Sequence, residues 1–199
     1  MQRRAFARVR AYSAALDEQA AREDTLTGLP NRRRPLSAID ALAAQPALDS
    51  RRIGLLYLDI DGFRNLNDAM GHSAGDMLRR TLGQAVRLAT RRDDMLARVG
   101  GDEFVLLAAD CGDDAELREL PSGSFHVFAL SAKTRAVVAF RLALAFGIAT
   151  FPDRVKAIEG LLDAADAAMY VAKRSGRSTY RFGALPGPRL SNVLNNLTK

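Results

Sequence analysis

The sequence predicts a mixed α/β fold in which helices flank a largely antiparallel central sheet. Three observations carry this. IGLLYLDI (53–60) is an unbroken apolar run with the length of a buried strand. MLARV and FVLLAA stand on either side of GGDE (100–103) and read as two strands joined by a tight hairpin, which is an antiparallel connection. Between and beyond these strands, apolar residues recur at three- and four-residue spacing, the mark of amphipathic helices. With 199 residues, 48% of them hydrophobic, the chain has material for one cored domain with extensions.

The elements follow in order. Residues 2–23 place Phe6, Val9, Ser13, Leu16 and Ala20 at helical spacing. That pattern fits an amphipathic helix packed on its own domain or the end of a short coiled-coil linker, and it is too short to decide between them. TLTGLPNRRR (25–34) is a turn-rich entry to a helix, PLSAIDALAAQ (35–45), with Pro35 in the first turn and Leu36, Ile39 and Leu42 along one face. After the strand at 53–60, DGFRNLNDAMGH is a short helix or turn. SAGDMLRRTLGQAVRLATRR (73–92) is a long helix that turns Leu78, Leu82, Val86 and Ala89 inward. Gly100 and Gly101 are expected to supply the positive φ angles of a hairpin turn. DDAELREL reads as a short helix, SFHVFAL (124–130) as a strand, and AVVAFRLALAFGIATF (136–151) as containing another strand. IEGLLDAADAAMYVAKRSG (158–176) is amphipathic, with Leu161, Leu162, Ala165, Met169, Val171 and Ala172 toward the core and Gly176 as its C-cap. STYRF is a last strand, before a tail at 184–199.

Composition removes several function classes. The single cysteine, Cys111, excludes an internal disulfide and a cysteine-based zinc site. MQRRAFARVRAY has basic residues where a signal peptide needs an apolar segment, and the longest apolar region is too short to span a bilayer and carries Arg141. The expectation is a soluble, cytoplasmic chain, whose parent protein is free to carry a membrane anchor upstream. The net charge of +6 comes from arginines spread along the chain, apart from runs at 32–34 and 91–92. No zinc finger, recognition helix or aromatic single-strand pattern accompanies them, so nucleic acid is not the expected partner. A phosphate-bearing small molecule suits clustered arginines equally well.

The carboxylates carry the chemistry. Asp59 and Asp61 end the 53–60 strand on one face, with Ile60 on the other. If that strand neighbours the hairpin, Asp59 and Asp102 meet at one rim, where two like charges about 4 Å apart repel by about 4 kcal/mol at an intermediate dielectric. A bound cation relieves this, and an oxygen-only set with room for water and phosphate describes Mg²⁺. Each motif alone has a plainer reading: Asp59 as a helix cap, Asp102 as a solvated turn residue. Phe63 and Asn67 share a helix face. His72 and Asp76 flank the start of the long helix, where Ser73 and Asp76 also make a near capping box. Lys173 and Arg177 suit a helix C-terminus and are also able to reach a triphosphate. No P-loop is present.

DTLTGLPNRR (24–33), YLDIDGFRNLNDAMGHSAGD (57–76), RVGGDEF (98–104) and DAADAAMYVAKRSGR (163–177) together resemble the GGDEF-domain diguanylate cyclases, over about Asp24 to Phe182. The resemblance implies a palm-like α/β fold similar to nucleotidyl cyclases and polymerases, with a linker at 1–23, the GGDEF domain at 24–183 and a tail at 184–199. It implies condensation of two GTP into cyclic di-GMP with release of pyrophosphate, in a homodimer whose two sites face each other, under an upstream sensory domain. By position, Asp59, the carbonyl of Ile60 and Asp102 would hold Mg²⁺, with Mn²⁺ as the alternative ion. Glu103 would assist a second metal or deprotonate the attacking 3′-hydroxyl. Asn67 and Asp76 would read guanine, and His72 and Phe63 would line the pocket. Arg64, Lys173 and Arg177 would reach phosphate. Arg91 and Asp94 match the R-x-x-D that stands five residues before GGDEF in relatives, where product binds and inhibits. The segment 110–140 departs from the family's usual long helix, and Ala145-Phe146-Gly147 from its usual Ser-apolar-Gly. These departures leave a rival reading, a catalytically silent domain that acts as a GTP or cyclic di-GMP receptor.

Overall fold

The computed structural model describes residues 22–46, 48–131, 140, 142–176 and 179–183. The helix expected over 2–23 lies, up to residue 21, outside the described residues, as do the tail from 184 and Arg177. Five strands form one sheet: β1 (Ile53–Asp61), β2 (Met95–Arg98), β3 (Glu103–Ala109), β4 (Ala143–Phe151) and β5 (Thr179–Phe182). Their order is β2-β3-β1-β4-β5, antiparallel throughout except for the parallel β4–β5 pair. This bears out the largely antiparallel mixed sheet. β1 and β4 lie inside the sheet with a helical layer on each face, which is why both read as continuous apolar runs rather than alternations.

One face carries Leu56, Leu58, Phe104, Leu106 and Ile148, covered by α3 (His72–Ala89) through Leu78, Leu82 and Val86 and by α4 (Asp114–Ser131) through Leu117. The other carries Ile53, Leu55, Val105, Leu107 and Phe151, covered by α1 (Arg33–Ala43) through Ile39 and Leu42 and by α5 (Leu161–Ser175) through Leu161 and Ala165. Between β1 and α3 runs the short helix α2 (Phe63–Met70). Gly62 enters it at φ 81°, a conformation costly for any residue with a Cβ.

The structure corrects several expectations. SFHVFAL is no strand: α4 runs through it to Ser131 and packs on α3 and on β1, where Leu117 lies 2.9 Å from the position a Cβ would take at Gly54. The sheet face therefore has its covering helix despite the departure at 110–140. Gly100 and Gly101 are not at positive φ. The hairpin closes instead with the amides of Val99 and Gly100 donating to the carbonyl of Glu103 at 3.0 and 3.4 Å. Leu36 and Val171 are exposed, because Pro35 and Ala172 take the core positions of their helices. Gly176 is the C-cap of α5, as expected, at φ 148° and ψ −172°.

Candidate active site

Cross-strand register builds the site. Asp59 of β1 stands directly opposite Glu103 of β3, and the β1–β3 ladder stops there, while β1 continues beside β4 to Asp61. The last two residues of β1 thus lie beyond the β1–β3 ladder, and Ile60 turns its side chain into the core. Asp59 faces α5. That helix can cross β4 closely because Gly147 has no side chain: a Cβ there would lie 1.9 Å from the carbonyl oxygen of Ala165 and 2.2 Å from the amide of Met169. The Ala-Phe-Gly departure therefore keeps the residue that this crossing needs. One turn past Met169, Lys173 places Nζ 2.6 Å from Asp59 Oδ1.

Asp59 is 3% exposed. Burial pushes its carboxyl up to about 6; the Lys173 ammonium opposes this, and the neighbouring charges of Asp102 and Asp61 add to it. Asp102 thus acts on Asp59 through its charge, while the residue in register with Asp59 is Glu103. The Lys173 ammonium is the partner the structure gives Asp59 Oδ1. A buried carboxylate with other carboxylates nearby, held by one ammonium, is an environment that a hard divalent cation further satisfies. No group of three or more His, Cys, Asp or Glu side chains among the described residues is arranged to hold a metal. The fit is to an ion that takes one or two carboxylates and completes its shell with water and phosphate. Beside the carboxylates a recess of about 500 Å³ is lined by Asp61, Gly62, Asn65, Phe140, Lys173, Arg174 and Gly176. Asn65 and Arg174 join this lining, although nothing in their local sequence pattern marks them.

Asn67 and Asp76 both lie at the α2–α3 junction. Asn67 Oδ1 is buried without a hydrogen bond, and a Cβ on Gly75 would lie 2.0 Å from it, so the two helices meet at a bare glycine. Phe63 is buried beneath the Arg79 guanidinium, whose carbon is 4.4 Å from the ring centroid. Arg79 Nη1 also donates to Asp76 Oδ1 at 2.5 Å. The capping-box alternative for Asp76 fails, since α3 starts at His72 after Gly71 with no side-chain cap. His72 and Arg64 are exposed. Arg79 was overlooked, although its position three residues after Asp76 is a helical pairing distance.

The DTLTGLPNRR block, expected as a turn-rich entry to α1, also braces the hairpin. Asp24 Oδ1 accepts from the amide and hydroxyl of Thr27 at 2.9 and 2.7 Å, and Asp24 Oδ2 accepts from Arg98 Nη1 at 2.7 Å. Arg98 Nη2 donates to the carbonyl of Gly101 at 2.9 Å. Burial raises the Asp24 pKa, but the bonds from Thr27 and Arg98 outweigh it and hold the carboxyl below its usual range.

Arg91 and Asp94 form one turn between α3 and β2. Asp94 Oδ2 accepts from the Arg91 amide at 2.9 Å, and Arg87 Nη1 donates to the carbonyls of Arg91 and Asp94 at 3.2 and 3.1 Å. Asp94 is buried, which pushes its carboxyl up. The Arg91 guanidinium is exposed and lies 2.6 Å from Glu116 Oε1 of α4.

A mixed sheet with acidic residues at the end of its central strand and a GGDE hairpin beside it defines the diguanylate cyclase class of domains. The chain belongs to that family: residues 21–179 match the GGDEF domain described as diguanylate cyclase. It is 38% identical over 167 residues to the bifunctional diguanylate cyclase/cyclic di-GMP phosphodiesterase MucR of Pseudomonas aeruginosa, covering 82% of this chain and 24% of that protein. It is 31% identical over 184 residues to the diguanylate cyclase TpbB of the same species, covering 92% of this chain and 42% of that protein. Among solved structures, the GGDEF domain of TpbB superposes with a TM-score of 0.73 at 29% identity, covering 85% of this chain and 99% of that one. This similarity supports the palm-like fold. The chain spans under half the length of these two curated relatives. No helix among the described residues is long and apolar enough to cross a membrane.

Proposed function

We propose that this domain condenses two GTP molecules into cyclic di-GMP and pyrophosphate. The observation that carries the reading is Asp59: buried, paired with Lys173, in register with Glu103 of the hairpin, and next to a polar recess lined by Asp61 and Lys173. Asp59, the Ile60 carbonyl and Asp102 would hold Mg²⁺ or Mn²⁺, which when bound supplies charge neutralisation at the triphosphate and lowers the pKa of the attacking hydroxyl. Lys173 and Arg177 would draw the triphosphate to the rim, with Arg64 on α2 adding charge at its edge. Asn67 and Asp76 would read the guanine edge, the carboxylate accepting from the ring N1–H and the exocyclic amine. Phe63 and His72 would border the base. Glu103 would accept the proton of the 3′-hydroxyl as it attacks the α-phosphate of the facing nucleotide. One such domain holds one GTP, so turnover needs a homodimer, and an upstream sensory domain would set how the two copies meet. Arg91 and Asp94 would bind the product and inhibit.

The test is incubation of the chain at high protein concentration with GTP and Mg²⁺, beside Asp102→Ala, with cyclic di-GMP and pyrophosphate quantified. Product from the wild type alone supports the reading. If neither protein forms product while both bind nucleotide, the domain is a silent receptor.

A further inference from the structure

We infer that Tyr57 is a positioning residue for Glu103, its phenol acting together with the bare Cα of Gly100 to seat one carboxylate oxygen at the rim of the site. The inference rests on the cyclase reading and deepens it. In the β1–β3 register Asp59 pairs with Glu103 and Tyr57 with Val105, so Tyr57 and Glu103 are diagonal neighbours on the face that carries Asp59. The Tyr57 hydroxyl donates to Glu103 Oε2 at 3.2 Å. The same oxygen lies 2.2 Å from where a Cβ on Gly100 would stand, with Glu103 Cδ at 3.0 Å. Two unrelated elements, the β1 strand and the hairpin turn, therefore converge on one atom.

Neither element is required by the fold alone. Gly100 is not at positive φ, so the turn does not demand glycine for its backbone. Tyr57 is only half-buried and packs against the α5 face, where phenylalanine would fill the same space. What both supply is a place for a flexible acidic side chain, and a group that takes a proton during attack must be held within a fraction of an ångström of its working position. Tyr57 touches Glu103 rather than the reacting atoms, so its effect passes through that carboxylate.

The experiment compares wild type, Tyr57→Phe, Gly100→Ala and Glu103→Ala in two readouts. In steady-state cyclase assays, Tyr57→Phe is expected to lower kcat by about five- to tenfold, the scale of one ordinary hydrogen bond, with KM for GTP within about twofold. Gly100→Ala gives the same pattern without altering Tyr57. In urea unfolding of the Mg²⁺-free protein, Tyr57→Phe and Glu103→Ala are expected to be non-additive in the double variant, which reports the bond independently of turnover. Additive unfolding effects overturn the inference, because the bond is then absent. Coupling in unfolding with an unchanged kcat also overturns it and leaves a structural contact. A raised KM at constant kcat assigns Tyr57 to nucleotide binding instead. A wild type that forms no product sinks the cyclase reading, before any substitution is compared, and the positioning role with it.

Discussion

Replacing Asp59 by Asn separates what the site costs the fold from what it does. The Asp59 carboxyl is pushed from 3.8 to about 6, chiefly by burial, and its side chain is only 4% exposed, so solvent screens it little. Two pH units at about 1.4 kcal/mol each make its ionisation about 3 kcal/mol harder in the folded chain than in the unfolded one. The folded state holds this proton more tightly than the unfolded state does. Stability from Asp59 is therefore greatest below about pH 4, falls as pH rises toward about 6, and stays at its low value above that. Asp59→Asn has no such dependence, and Lys173, a third exposed, remains solvated when its partner is neutral. In urea unfolding without divalent metal, the stability of Asp59→Asn relative to wild type should grow by about 3 kcal/mol between about pH 4 and pH 7. For a chain of this size that corresponds to roughly 6–12 °C in Tm. Millimolar Mg²⁺ at neutral pH should then stabilise the wild type and leave Asp59→Asn unmoved, since a ligand stabilises only the state that binds it. A difference that is flat or shrinks with pH refutes the reasoning, and so does equal stabilisation of both proteins by Mg²⁺.

Three further outcomes are expected. Lys173→Met removes the charge that opposes burial at Asp59, so the carboxyl moves above about 6; half-saturation by Mg²⁺ should weaken most near pH 6.5 and recover toward pH 8.5, by activity or calorimetric titration. Gly147→Ala should destabilise the fold by more than about 2 kcal/mol in chemical denaturation, because the Cβ meets the α5 backbone rather than a yielding side chain. Glu116→Gln frees the Arg91 guanidinium from an exposed ion pair and should tighten cyclic di-GMP binding by roughly two- to fivefold in calorimetry, in keeping with the small worth of such pairs, while Arg91→Ala abolishes it.

The sequence was misleading where a helix hides its own stripe. DDAELREL reads as a short helix and SFHVFAL as a strand, since aromatic and β-branched residues favour strand. In the structure Leu117, Leu120, Pro121 and Ser124 are turned inward at helical spacing, Leu120 partly and the others fully. Two of those four are not residues that mark an apolar face. Gly123 faces the end of α3, with Ala89 Cβ 3.6 Å from where its own Cβ would stand, an ordinary contact. Packing on α3 decided that segment, and packing is not written in a local pattern.

By itself, the sequence determined the class of the domain, most of its elements and the identities of the acids, because apolar runs, helical spacing and ordered motif blocks are local properties of the chain. It also placed Asp59 on the face opposite Ile60, since strand alternation needs no tertiary information. Only the tertiary structure decided which groups meet. Register set Glu103, and not Asp102, across from Asp59. The close crossing at Gly147 brought Lys173 more than a hundred residues back onto Asp59, Asp24 found Arg98 across the hairpin, and Tyr57 found Glu103. The physical reason is common to all four contacts: each joins residues far apart in the chain, so it exists only once the helices and the sheet have packed, and neither partner's sequence neighbourhood carries any trace of the other.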